Sequence, residues 1–330
     1  MLVFSVLFFL SGCDGTEKEC VVQPDISDID IDLTFENYVD SIDNLQSKDQ
    51  LVALLTREPL FRDYIFRRAA YPNDSVFINE LHGRFHNPHF DTLIHETRSV
   101  FGDQRELENE FRLAFQNMKH YYPDFVPPKV KTLVSGLDTD LYVSDTLIIV
   151  SLDFYLGPGA KYRPSMYAYL LRQYVPTNVV PSCLLMYGID ERFNKTEISD
   201  RTALADMIAY GKSYYFAKHM LPCTPDSILL RYTAEEINGS YAFQDLIWAR
   251  LIENNVLFET SHLIKQRYLG ERPKTLEIGE KCPGRIGQWV GWQIVKSYMD
   301  THPNVTLSQL METSNAQEIF KQSGYKPDKR

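Results

Sequence analysis

Two glycines one helical turn apart, Gly287 and Gly291, lie in the segment Pro283-Gly284-Arg285-Ile286-Gly287-Gln288-Trp289-Val290-Gly291-Trp292-Gln293-Ile294-Val295. Each glycine inside a helix costs about 1 kcal/mol against alanine. Two on one face are worth that cost only where a second backbone packs at very short range. Trp289 and Trp292 then cover an adjoining face. They serve either as core or, with an indole edge left exposed, as the wall of a groove.

The rest of the chain must supply the partners for such a crossing, and its patterning is mostly helical. Phe35, Tyr38, Ile42 and Leu45, then Leu51, Leu54, Leu55, Phe61 and Ile65, recur at three- and four-residue spacing. A helical region is predicted over about 75–122, with Phe101, Leu107, Phe111, Phe115 and Met118 on one face and a break at Asn87-Pro88. Lys129 to Ser135, Leu141 to Val143 and Thr146 to Leu152 are short and β-branched, with Gly136 and Asp145 between them. They predict a small antiparallel sheet of three strands near 129–153. Beyond Gly157-Pro158-Gly159 the pattern predicts helices over 165–174, 202–220, 234–254, 284–301 and 307–323. This order makes an α+β, mostly helical fold in a single domain, 29–330.

The N-terminus carries a different signal. Residues 2–10 are apolar apart from Ser5, too few for the roughly 20 residues that span a bilayer but the right length for the core of a signal peptide. Leu10-Ser11-Gly12-Cys13 follows directly. It resembles the lipobox of bacterial lipoproteins, in which cleavage precedes the cysteine and the thiol is lipidated. No Lys or Arg precedes the apolar run, so its leading segment is atypical or starts upstream of Met1. The reading is a signal peptide over 1–12, a lipid anchor on Cys13 and a polar tether to residue 28. Two or three acyl chains hold a protein on a membrane stably. Asp14 does not decide between inner and outer membrane.

Charge removes one class of partner. The 34 basic and 44 acidic side chains give a net charge of −10, and no long Lys/Arg run offers the basic face that a nucleic-acid binder needs. Cys20, Cys183, Cys223 and Cys282 remain beside Cys13. An oxidising compartment permits disulfides, and four cysteines allow three full pairings that sequence does not separate.

Few residues point to catalysis. His82, His86 and His89 lie close together and, with His219, are the candidates for a metal-dependent hydrolase with unusual ligands. Asn87-Pro88 breaks the helix they would share, and we read them as surface histidines. His95-Glu96 opens like H-E-x-x-H, but Ser99 stands where the second histidine belongs. Thr233 with Glu235 and Glu236 reads as a capped helix start, not an acid/base pair. No Walker loop, G-x-S-x-G or G-x-G-x-x-G occurs, and no cofactor is expected.

The glycine–tryptophan segment, Leu152-Asp153-Phe154-Tyr155-Leu156-Gly157, Met207-Ile208-Ala209-Tyr210-Gly211-Lys212 and Gly324-Tyr325-Lys326-Pro327 together resemble GldB, a gliding-motility lipoprotein family of the Bacteroidetes. The motifs fall in the family's order over about 125–330, and the helical part, 34–122, matches more loosely. The resemblance implies a cell-envelope lipoprotein that supports the gliding machinery or the associated type IX secretion system, with envelope proteins of that apparatus as partners. The family is in turn similar to zinc metallopeptidases of the gluzincin type, which carry H-E-x-x-H on one helix and Glu-Gly on the next. In this chain 165–174 stands for the first of these helices without His or Glu, and Tyr210-Gly211 stands for Glu-Gly. The resemblance therefore implies a peptidase-like fold over 125–330 with no metal ligands and a former cleft kept as a binding groove. Tyr210, Arg285, Gly287, Trp289, Gly291 and Trp292 are its candidate residues. A polysaccharide-binding lipoprotein, with some of the 20 tyrosines as platforms, is the remaining alternative.

Overall fold

The computed structural model describes Cys20 and residues 24–327. The predicted signal peptide, the proposed lipidation site Cys13 and most of the predicted tether lie outside the described residues. The chain begins with β1 (Phe35–Asn37), followed by α1 (Val39–Asp43) and α2 (Lys48–Arg57). Three longer helices follow: α3 (Asp74–Phe85), α4 (Pro88–Phe101) and α5 (Arg105–Tyr121). The break between α3 and α4 falls at Asn87-Pro88. Asn87 caps α4 by accepting a hydrogen bond from the His89 N–H, and Pro88 occupies the first helical position, where its missing N–H is no loss.

The sheet is mixed and has four strands. β2 (Lys129–Leu133), β3 (Leu141–Val143) and β4 (Leu147–Ser151) lie in the order β1-β2-β4-β3. The expected antiparallel sheet of three strands is corrected in two respects. Only the β3–β4 hairpin is antiparallel, because the chain leaves β2, crosses to the far edge and returns as β4 beside β2. In addition, β1 pairs in parallel with β2, Phe35 opposite Val130. Three residues are too short to show alternation, and the spacing of Phe35 runs on into the helix behind it, so β1 reads as helix in sequence.

Beyond the sheet come α6 (Val179–Ile189), α7 (Ala203–Met220), α8 (Asp226–Leu230), α9 (Ala234–Ala242), α10 (Gln244–Glu253), α11 (His262–Leu269), α12 (Ile286–Thr301), α13 (Leu307–Glu312) and α14 (Ala316–Ser323). The predicted helix over 165–174 is absent. That stretch is turns, with a single 3₁₀ turn at Leu171–Gln173. Prolines 164 and 176 bracket it, Tyr167 is exposed, and Tyr174 is drawn off to Asp140 by a 2.8 Å hydrogen bond. Tyr167, Leu170, Leu171 and Tyr174 stand at helical spacing, but with Tyr167 in solvent and Tyr174 turned to Asp140 they share no buried face, and an isolated helix this short does not hold itself.

Helix α6 was not visible in the sequence pattern. It is apolar even on its open side, at Met186 and Ile189, and a helix with no polar face carries no period to read. Pro181 sits in its first turn, where the backbone N–H has no partner within the helix in any case.

Helix α7 lies between α6 and α12 and touches both backbones. A Cβ on Gly188 of α6 would stand 2.9 Å from the Ser213 backbone of α7. A Cβ on Gly291 of α12 would stand 1.8 Å from the Met207 carbonyl oxygen of α7. Gly287 faces α11, where a Cβ would stand 2.8 Å from the Leu269 side chain and a looser 3.2 Å from the Tyr268 carbonyl oxygen. The short-range backbone contact expected from the glycine pair is therefore made by Gly291. Trp289 and Trp292 are wholly buried beside it.

Candidate functional site

The first turn of α12 forms one end of a cleft of about 320 Å³. Ser182, Leu185, Met186 and Ile189 of α6 make one wall, and Tyr210, Ser213 and Tyr214 of α7 make the next. Arg231 from the turn after α8, the end of α11 and Glu271 close it. The glycine crossings bring these walls together. Because α6, α7 and α12 approach backbone to backbone, their side chains on the open side converge.

Arg285 is the deepest charge in the cleft, at 9% exposure. Its backbone is left-handed (φ 59°), uncommon for a residue with a side chain. Its Nη2 donates to the Leu230 carbonyl (2.6 Å), its Nη1 to the Tyr214 hydroxyl (3.5 Å), and its Nε faces Glu271 at 3.3 Å. Burial pulls its pKa down, but Tyr214, Glu271 and Tyr232 beside it pull it up and prevail, so it stays a cation. Tyr214 donates to Gln288 Oε1 (2.7 Å), and Gln288 Nε2 donates to the Leu269 carbonyl (2.6 Å). This chain of bonds fixes the ring that Arg285 touches. Burial raises the pKa of both Tyr210 and Tyr214, so both keep their protons.

Arg231 joins the same cluster. Its guanidinium bonds Gln173 and faces Glu271 at 3.9 Å, and its backbone is also left-handed (φ 56°). Two guanidinium groups thus share one carboxylate. Met186 (44% exposed) and Ile189 (42%) leave apolar surface at the rim, next to Tyr210. The arrangement is an amphipathic cleft, cationic at depth and apolar at its mouth.

Of the sequence candidates, Tyr210 and Arg285 line this cleft. Gly287 and Gly291 shape it from behind through their helix contacts. Trp289 and Trp292 do not reach it. Trp292 stacks on the Tyr214 ring (5.4 Å) and carries Lys296 Nζ 4.0 Å over its face, and Trp289 meets Tyr241 edge to face. The groove reading of their indole edges is corrected to core. Arg231, Glu271, Met186 and Ile189 were missed. They come from separate helices and turns, and no spacing links them before the chain is folded.

The histidines go elsewhere. His82 and His86 stack on each other with centroids 4.1 Å apart. His89 Nδ1 meets the Tyr162 hydroxyl at 2.5 Å, in a broad hollow between α3, α4 and the turn at Gly136. His219 is held by the Tyr215 carbonyl, and burial lowers its pKa. Glu96, of the broken zinc motif, accepts the Lys161 N–H. Among the described residues no three His, Cys, Asp or Glu side chains are grouped to hold a metal ion. Thr233 caps the start of α9 as predicted, and Glu236 returns the bond to complete a capping box.

Lys212, next to the Gly211 crossing, is buried and serves structure. Its Nζ donates to the carbonyls of Lys195 (2.7 Å), Met311 (3.1 Å) and Thr313 (2.9 Å). Of the cysteines, Cys20 and Cys223 form a disulfide, while Cys183 and Cys282 are buried and free. None of the three full pairings is realised.

No helix among the described residues is long and apolar enough to cross a membrane. Comparison with curated proteins and with solved structures returns no match. The family model described as gliding motility protein GldB matches residues 19–327, which takes in β1, the mixed sheet, the three-helix crossing and the cleft. The chain belongs to the GldB family of gliding-motility lipoproteins.

Proposed function

We propose that this protein is a non-catalytic, lipid-anchored envelope protein that supports gliding and the associated type IX secretion apparatus by holding a partner protein in the α6–α7–α12 cleft. The observation that carries this reading is the make-up of the cleft. Its one carboxylate, Glu271, is taken up by two arginines, and its walls offer no His or Cys. Hydrolysis at zinc needs three ligands and a base for the bound water. The helix beside Tyr210-Gly211 is α6, not 165–174. Read as the counterpart of a first metal helix, α6 has no His, Asp or Glu, so a peptidase-like ancestry is compatible with a cleft that now only binds.

Two variants test this in cells. Cys13→Ala removes the anchor, and Met186→Glu places a carboxylate on the exposed rim without touching the core. Both are expected to impair colony spreading or secretion when they replace the chromosomal copy at normal protein levels. Normal behaviour of both would overturn the proposal. Elemental analysis of the purified chain, dialysed without chelator, tests the non-catalytic part. One zinc per chain would sink it.

A further inference from the structure

The charges round the cleft do not balance. Glu236 pairs with Arg172 (2.6 Å), Glu277 with Arg272 (2.9 Å) and Asp206 with Lys265 (2.7 Å). Glu271 is left to face both Arg231 and Arg285. One positive charge is therefore uncompensated, in a protein whose net charge is −10. The cleft also abuts the first turn of α12, whose helix dipole adds to the positive potential. A buried guanidinium has five donors in a planar fork that fits a carboxylate, and Arg285 spends three directions on Leu230, Tyr214 and Glu271.

The geometry orders the ligand as well. The cation lies at the deep end and the apolar side chains lie at the rim, so a bound molecule must place its charge inside and its apolar body behind. A chain passing through would carry an acidic side chain past the rim. A chain that stops inside presents a carboxylate at its end, with its last side chain against Leu185, Met186 and Ile189. A space of about 320 Å³ takes one or two residues, not a folded surface.

We propose that the cleft binds the C-terminal carboxylate of a polypeptide ending in an apolar residue. The proposal rests on the partner-binding reading of the cleft and names the chemistry of the partner.

The test uses two pools of fluorescein-labelled hexapeptides, randomised among Leu, Ile, Val, Phe and Met at the last two positions. One pool ends in a free acid and the other in an amide. They are titrated by fluorescence anisotropy against the full-length chain in detergent. The free-acid pool is expected to bind about tenfold or more tightly than the amide pool, the difference one charge-assisted contact makes. Arg231→Gln should erase that difference. Glu271→Gln, which removes the competing carboxylate at an exposed position, should tighten the acid pool several-fold. Met186→Glu should weaken both pools.

Equal binding of acid and amide, or binding of neither, overturns the proposal, as does a Glu271→Gln variant that binds the acid pool more weakly. The reading beneath it fails separately. Loss of motility with Met186→Glu but no preference for the acid leaves the partner cleft standing and removes the carboxylate. Preference for the acid with normal motility in Met186→Glu cells does the reverse.

Discussion

Gly211 of α7 meets Gly291 of α12 backbone to backbone: a Cβ on Gly211 would stand 2.3 Å from the Gly291 carbonyl oxygen. Real Cβ atoms do not approach a carbonyl so closely. Either helix would have to move, and with it the walls of the cleft. Overpacking a well-filled core typically costs 1–3 kcal/mol, and a clash with backbone has less room to relax than one with a side chain. Gly211→Ala and Gly291→Ala are each expected to destabilise the fold by about 3 kcal/mol. Gly83→Ala in α3, where nothing lies within 4 Å, is the control and should be neutral or stabilise by about 0.5–1 kcal/mol. Urea midpoints of the three variants decide it. Equal midpoints for Gly83→Ala and Gly291→Ala would mean that the crossing is not tight.

The crossing was legible because a pair of glycines at helical spacing has a strong physical motive. What was not legible follows from the same physics. α6 has no polar face, so it has no period. β1 has three residues, so it has no alternation. The cleft has contributions from α6, α7, the turn after α8, α11 and α12, and only Tyr210, Arg285 and Gln288 stood in motifs that drew attention. Arg231 and Glu271 acquire meaning from each other, across 40 residues of sequence. The stretch over 165–174 shows the opposite error: good helix formers such as Leu170, Leu171 and Arg172 lie where the tertiary structure needs turns.

Stability should fall as pH rises from about 4 to 7. Burial pushes the Glu110 carboxyl up to about 7 and that of Asp153 to about 6, the latter despite the N–H groups of Ser135 and Leu137 that donate to it. Well below pH 4 both are protonated, folded or unfolded. Between their ordinary values and the raised ones the folded state holds more protons than the unfolded state, so unfolding becomes easier with each step in pH. Glu110→Gln should flatten most of this slope and raise the melting temperature at pH 8. Thermal melts at pH 4.5, 6 and 8 check it. A melting temperature that rises over this range in the parent protein would contradict the assignment.

The Cys20–Cys223 disulfide closes a span of 203 residues, and losing such a link typically costs about 2–4 kcal/mol. Cys223→Ser should lower the urea midpoint accordingly, and the reductant that lowers it in the parent should have no further effect in the variant. Thiol counting adds a test of the N-terminus. Burial raises the thiol pKa of Cys183 and lifts that of Cys282 to about 12, so neither should react rapidly with a thiol reagent in the native state. In denaturant without reductant two thiols per chain should react if Cys13 is lipidated, and three if it is free. Mature protein extracted from membranes is expected to give two.

Lys212 ties the end of the chain to the helix that makes the crossing. Its ammonium gives its three protons to the carbonyls of Lys195, Met311 and Thr313, so the loop after α6 and the turn between α13 and α14 are pinned to α7 at one point. Burial pushes its pKa down to about 7, while the three carbonyls need its protons. Lys212→Met keeps the volume and removes the donors. It takes this donor from the carbonyls of Lys195 and Thr313 at about 1–3 kcal/mol for such a group, while Met311 keeps the Lys195 N–H, less the gain from no longer burying a cation. A net loss of about 2 kcal/mol is expected. Hydrogen exchange should localise it: amides of α13 and α14 should lose protection in Lys212→Met, while those of β2 and β4, far along the chain, should keep theirs. Unchanged protection in α13 and α14 would mean that these helices are held by Leu307, Leu310, Met311 and Ile319 in the core, without help from the lysine.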